Sequence, residues 1–154
     1  MKISQANLLH LSPLAELFDA YRVFYRKASD INGAIAYLKE RINQKEAIIF
    51  IAQEEDEMVG FTLLYPLFSS TNMRRIWLLN DLFVSPQHRG RKISKALIEA
   101  AQLHCQATQG HGISLETEKS NLPGNALYPK MGFQKDLDHH FYYWENPTFS
   151  SSES

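Results

Sequence analysis

The sequence predicts a single mixed α/β domain built on one twisted sheet with helices on both faces. Three observations carry the prediction. Segments with helical apolar spacing alternate with short β-branched and aromatic runs, in the order β, α, α, β, β, β, α, β, α, β, β. One of those runs, Arg74 to Ser85, is apolar on both faces at its centre, as a strand covered from both sides must be. Neither internal repeats nor a Pro/Gly/Ser-rich linker interrupts the pattern, and 154 residues with 44% hydrophobic content suffice for one core. The expected domain spans residues 1–149, followed by a frayed Ser-rich tail over 150–154.

Lys2 to Ala6 reads as the first strand. Ser12 and Pro13 supply an N-cap and a first helical position ahead of Leu14, Leu17, Phe18, Tyr21 and Tyr25, which recur at helical spacing. Ser29 and Asp30 open a second helix, with Ile31, Ile35, Leu38 and Ile42 on one stripe, ending near Gln44. Ala47 to Gln53 and Met58 to Phe68 form a hairpin about the acidic turn Glu54 to Glu57, whose charges are a solvated tip. The strand Arg74 to Ser85 should be central and stops at Pro86. A helix follows from Gly90 to Thr108, ended by Gly110 and Gly112. Ile113 to Thr117 is a short strand and Leu122 to Met131 a short helix. Phe133 onward returns to strand through Phe141, Tyr142, Tyr143 and Trp144.

Charge and cysteine usage narrow the function classes. Sixteen Lys plus Arg against 17 Asp plus Glu leave a net charge of -1, which gives no footprint for nucleic acid or an anionic membrane. The one cysteine, Cys105, sits in an amphipathic pattern as a buried small hydrophobe. No stretch approaches the roughly 18 uninterrupted apolar residues of a membrane span, so a cytoplasmic protein is expected.

The informative segment is Leu82 to Ser94, where the apolar strand passes through a Pro-marked turn into a helix. A helix start leaves backbone N–H groups unpaired at the positive end of its dipole, which suits a pyrophosphate. Gly90 lets the backbone approach closely, and Arg89, Arg91 and Lys92 add positive charge.

With Gln87, His88, Arg89 and Gly90, this loop resembles the pyrophosphate-binding segment of the GCN5-related N-acetyltransferases (GNAT), whose pattern is Gln or Arg, two residues, Gly, any residue, then Gly or Ala. The strand LNDLFV before it and the stretch NLPGNALYPKMGF, Asn121 to Phe133, are similar to the family's central strand and later Asn…Tyr…Gly-Phe signature. The nearest subset is that of small-amine and polyamine acetyltransferases. Lys92 and Ser94 depart from the family, standing where a small residue and often a second Gly are usual.

The resemblance implies a mostly antiparallel sheet of about six to seven strands with splayed central strands. It implies acetyl-CoA as co-substrate, no metal, and acetyl transfer to a primary amine by direct attack in a ternary complex. The acceptor would be a small amine or peptide amine, and a homodimer is common in the family. Cofactor contacts would come from Leu82, Phe83, Val84, Gln87, His88, Arg89, Gly90, Arg91, Lys92, Ile93, Ser94, Asn121, Gly124 and Tyr128. Tyr128 would protonate the leaving thiolate. The base is open among Asp81, Asn80, Glu116 and an ordered water, although Asn80 cannot itself accept a proton. Substrate choice would lie in the first two helices, where Tyr21, Tyr25 and Arg26 line a pocket or simply pack. A non-catalytic acyl-CoA-binding or interaction module on the same fold is the rival reading.

Overall fold

The computed structural model describes residues 1–149, so the Ser-rich tail expected over 150–154 lies outside the described residues. The chain runs β1 (Lys2–Gln5), α1 (Leu11–Phe24), α2 (Ile31–Asn43), β2 (Ile48–Glu54), β3 (Glu57–Ser69), β4 (Arg74–Val84), α3 (Ile93–Ala107), β5 (Ile113–Ser114) and α4 (Leu122–Lys130). The strands form one sheet in sequence order, antiparallel from β1 to β4 and parallel between β4 and β5.

Local chemistry explains most boundaries. Asp30 caps α2, its carboxylate accepting from the Gly33 N–H at 2.9 Å. Buried Asp19 accepts from the Ser29 hydroxyl and the Asp30 N–H, both at 2.7 Å, and so pins the α1–α2 loop. Ser12 does not cap α1. Asn7 opens an earlier 3₁₀ turn, Leu8–His10, that runs into the helix, and its side chain accepts from the Leu9 N–H at 2.8 Å.

The core has two halves, one on each side of the sheet. Leu14, Leu17, Phe18 and Leu38 of α1 and α2 pack on Ile49, Ile51, Phe61, Leu63 and Phe83. On the opposite face Ile93, Leu97, Ile98, Ala101 and Cys105 of α3 pack on Val59, Leu64, Trp77, Leu79 and Val84. Mixed α/β architecture with helices on both faces is thus present.

Three expectations need correction. Among the described residues the sheet has five strands, not six to seven, because Phe133 to Trp144 form none. Aromatic and β-branched content reports fit to a pleated, half-buried surface, and here no such surface lies against the segment. Secondly, β3 occupies the middle of the sheet while β4 is second from the edge. Thirdly, α3 starts at Ile93 rather than Gly90, because Gly90 (φ +80) and Lys92 (φ +64) adopt left-handed backbone that cannot belong to a right-handed helix.

Candidate active site

The site begins with an irregularity in β4. Leu63 pairs with Asp81 and Leu64 with Leu79, which leaves Asn80 as an additional, unpaired residue. Such a bulge re-aims the strand that follows it. Leu79 therefore packs toward α3, while Asp81 and Phe83 turn toward α1. The Thr62 hydroxyl, buried on β3, donates to the Asp81 carbonyl at 2.8 Å and holds the bulge in place.

Past the bulge β4 loses its outer neighbour. The pairing with β5 consists of Trp77 with Ile113 and Leu78 with Ser114, and the two strands then part. Two cavities occupy the opening, of about 840 Å³ and 410 Å³, and share Tyr25, Leu82, Glu118, Asn121 and Tyr128 in their walls.

The larger cavity runs from β4 to the start of α3. Leu82, Phe83 and Val84 supply the strand side, and His88, Arg89, Gly90, Lys92, Ile93 and Ser94 the far end. No side chain caps α3, so the amides of its first turn keep free hydrogen-bonding capacity at the positive end of the helix. Space around Gly90 is open where a Cβ would stand. Arg89 is fixed by donating from Nε to the Val84 carbonyl at 3.0 Å, with its guanidinium 5.0 Å from the Phe24 ring centroid. This end suits an elongated anionic ligand. Two residues expected here lie outside the walls: Gln87 accepts from the Ser85 hydroxyl at 2.6 Å, and Arg91 pairs with Glu54 at 3.0 Å.

The smaller cavity is lined by Tyr21, Asn80, Glu116, Thr117 and the shared residues. Asp81 lies behind its wall. The residue is 6% exposed, and its carboxylate accepts from the Tyr21 hydroxyl at 2.6 Å and the Asn80 amide at 3.2 Å. Burial raises its pKa above the ordinary carboxylate value, partly offset by those two hydrogen bonds. Tyr21 is held strongly protonated, first by burial and then by the neighbouring Asp81 charge. Burial also raises the pKa of Tyr128, whose ring stacks edge-on with Phe133 at 5.9 Å. Asn121 caps α4 by accepting from the Gly124 N–H at 3.2 Å and donates to the Thr117 hydroxyl at 2.8 Å, so the cap also fixes the loop between the cavities.

Known proteins match this arrangement. The sequence profile of the acetyltransferase (GNAT) family covers residues 14–133. An uncharacterized N-acetyltransferase of Bacillus subtilis is 43% identical over 136 residues, 88% of this chain and 91% of that protein. This chain belongs to the GNAT acetyltransferase family. A solved structure of a probable acetyltransferase superposes with a TM-score of 0.90 at 34% identity, covering 95% of this chain and 98% of the other. The fold is also that of AAC(6')-Iy, solved in complex with the bisubstrate analogue CoA-S-monomethyl-acetylneamine, at TM-score 0.78 and 21% identity over 94% of this chain and 98% of that one.

As a GNAT acetyltransferase, the chain departs from the family pattern in the loop between β4 and α3. Lys92 takes the position of the family's small residue and adopts the left-handed backbone (φ +64, ψ 22) that a glycine adopts without strain. Sequence reasoning left Tyr21 and Tyr25 open between lining and packing, and did not single out Thr117 or Glu118 as site residues. Tyr21 does both, packing edge-on against Phe61 at 5.6 Å while lining the smaller cavity. Among the described residues no helix is long and apolar enough to cross a membrane, and no three His, Cys, Asp or Glu side chains gather as a metal site.

Proposed function

We propose that this acetyltransferase moves an acetyl group from acetyl-CoA to the primary amine of a small molecule or peptide, by direct attack in a ternary complex. The observation that carries the reading is the parting of β4 and β5 into two confluent cavities, one ending at an uncapped, cationic helix start and the other holding carboxylate and tyrosine side chains. We place the reaction in the cytoplasm and assign it to one domain over residues 1–149.

The far end of the larger cavity fits a pyrophosphate, held by the amides that open α3 and by Arg89 and Lys92. Leu82 to Val84 offer unpaired main-chain groups along the outer edge of β4 to the amide-bearing arm, in the manner of an added strand. A β4 N–H aimed at the thioester carbonyl would stabilise the oxyanion. Bound acetyl-CoA supplies the activated acyl group. Tyr128 keeps its proton at neutral pH and gives it to the departing thiolate.

The amine arrives as an ammonium and must lose a proton before it can attack. Of the candidate bases, Asp81 is the one already joined to the cavity wall by a hydrogen bond. The ammonium proton passes to the Tyr21 oxygen while the Tyr21 proton moves to Asp81, leaving Tyr21 neutral throughout. Asn80 orients the Asp81 carboxylate by donating to it. Glu116, on the opposite wall, attracts the cationic acceptor.

Calorimetric titration with acetyl-CoA, followed by thiol release across a panel of amines, tests the reading. Micromolar binding, about -8 kcal/mol, is expected for the wild type. Tyr128→Phe should bind equally and lose roughly 10²- to 10⁴-fold in kcat. Absence of binding heat for the wild type sinks the cofactor assignment, and a Tyr128→Phe variant at full rate sinks the proton-donor role.

A further inference from the structure

The smaller cavity carries two carboxylates in unlike settings. Glu116 and Glu118 stand two residues apart in the loop after β5, so their Cα atoms are at most about 7 Å apart. Glu116 makes no hydrogen bond and no ion pair among the described residues. Glu118 is engaged on both oxygens: Oε1 pairs with Arg26 Nη2 at 3.4 Å, and Oε2 accepts from the Ser120 hydroxyl at 3.3 Å.

Arg26 reaches Glu118 from outside that cavity. It stands at the end of α1 in the wall of the larger cavity, whereas Glu118 is shared by both. The backbone holds both anchor points. The Arg26 N–H donates to the Val23 carbonyl and the Lys27 N–H to the Arg22 carbonyl, each at 2.9 Å, which closes α1 on a left-handed residue (φ +69). The Glu118 carbonyl accepts from the Asn121 N–H at 3.0 Å and from the Asn125 amide at 3.1 Å, at the start of α4. Two helix ends thus place the pair, and only the side chains have to move to break it.

Two free carboxylates at that spacing would seat a short diamine, one ammonium on each. Arg26 changes this. It neutralises one of the two and puts its own positive charge where a second ammonium would sit, so a dication meets an occupied seat and like-charge repulsion. Glu116 remains for a single ammonium, and Tyr21, Tyr25, Leu79, Leu82 and Tyr128 supply aromatic and aliphatic wall for the body that carries it. At about 410 Å³ the cavity lies toward the small end of ligand sites.

On the reading of the site as an amine acetyltransferase, on which this rests, we infer that Arg26 is a specificity-determining residue: by holding Glu118 against a second ammonium it restricts the acceptor to a primary amine with one positive charge on an apolar or aromatic body. Both side chains of the pair reach water, so the penalty on a dication is about two- to five-fold, the size an exposed ion pair can impose.

Thiol release from acetyl-CoA with pentylamine, phenethylamine and putrescine tests this. Pentylamine and putrescine have equal chain length and differ in one end group, a methyl against an ammonium, so the ratio of their kcat/KM values reads the second seat. A ratio taken within one variant is also independent of how much of that variant is folded. The wild type should prefer both monoamines to putrescine. Arg26→Gln should raise the putrescine-to-pentylamine ratio about two- to five-fold by freeing Glu118, and Arg26→Gln/Glu118→Gln should return it to the wild-type value because the freed carboxylate is gone. A ratio unmoved by Arg26→Gln, or a gain that survives the loss of Glu118, overturns the role of Arg26 and leaves the acetyltransferase reading in place. Weaker acetyl-CoA binding by calorimetry in Arg26→Gln, at an unchanged ratio, assigns Arg26 to the cofactor and overturns it too, as does wild-type turnover confined to diamines or to peptides. No thiol release with any amine sinks the acetyltransferase reading itself, and the role of Arg26 with it.

Discussion

In the proposed mechanism Asp81 occupies a position where function and stability oppose each other. Its carboxyl is buried and its pKa lies above the ordinary value of 3.8, burial outweighing the hydrogen bonds from Tyr21 and Asn80. The folded protein therefore holds this proton more tightly than the unfolded chain does. Stability attributable to the residue falls as pH rises from about 3.8 through the folded value, and stays lower above it. Asp81→Asn removes the buried charge while leaving an oxygen to accept from Tyr21. It should raise Tm at neutral pH, with the gain vanishing toward pH 3.8 and below. It also removes the proposed proton acceptor, so kcat should fall by roughly 10²-fold or more and the acidic limb of the pH–rate profile should disappear. Thermal melts across pH and initial rates with the best amine check both halves. A variant that is fully active, or no more stable at pH 7, contradicts the assignment.

At the scale of elements, the join between β4 and α3 shows both what sequence conveys and where it stops. Strand, Pro-marked turn, Gly90 and helix were legible because each leaves a compositional mark. The left-handed backbone at Lys92 was not, since a lysine carries no sign that its φ is +64. The strain has a testable size. Lys92→Gly should stabilise the protein by about 0.5–1 kcal/mol in chemical denaturation, less whatever the added freedom of the unfolded chain takes back, while removing one positive charge from the proposed phosphate end. An unchanged or lower denaturation midpoint would mean that the side chain contributes packing that outweighs the strain. The bulge at Asn80 was hidden for a different reason. A bulge is a property of pairing register between β3 and β4, and a single strand's residues do not encode their partner's count. Phe141 to Trp144 were misread because aromatic propensity reports fit to a pleated, half-buried surface and does not say whether such a surface lies against the segment. Tyr21 stood at a core position of α1, and its hydroxyl became part of the site through Asp81, 60 residues away.

The whole molecule is two half-cores on a shared sheet, with the candidate active site at the seam where the sheet opens. The α1–α2 side and the α3 side each hold fully buried side chains, whereas α4, which closes the groove, holds none. Across the groove the end of α1 meets the loop after β5 through Arg26 and Glu118 at 3.4 Å, with side chains 77% and 51% exposed. An ion pair that open contributes at most about 1 kcal/mol. The β5–α4 region therefore sits at the low-stability end of the fold, as a segment that must admit a long ligand requires. Acetyl-CoA would add contacts to β4, the start of α3 and Asn121 at once, joining parts that the apo protein holds loosely. At a free concentration of 100 times Kd it should raise global stability by about 2.7 kcal/mol. Hydrogen exchange should resolve where: amides from Ile113 to Tyr128 and those opening α3 should slow most, while β2 and β3, already paired on both sides, change only with the global limit. Uniform slowing with no excess at Ile113 to Tyr128 would place the ligand elsewhere, since a molecule seated between parted strands has to protect the strand that moved away.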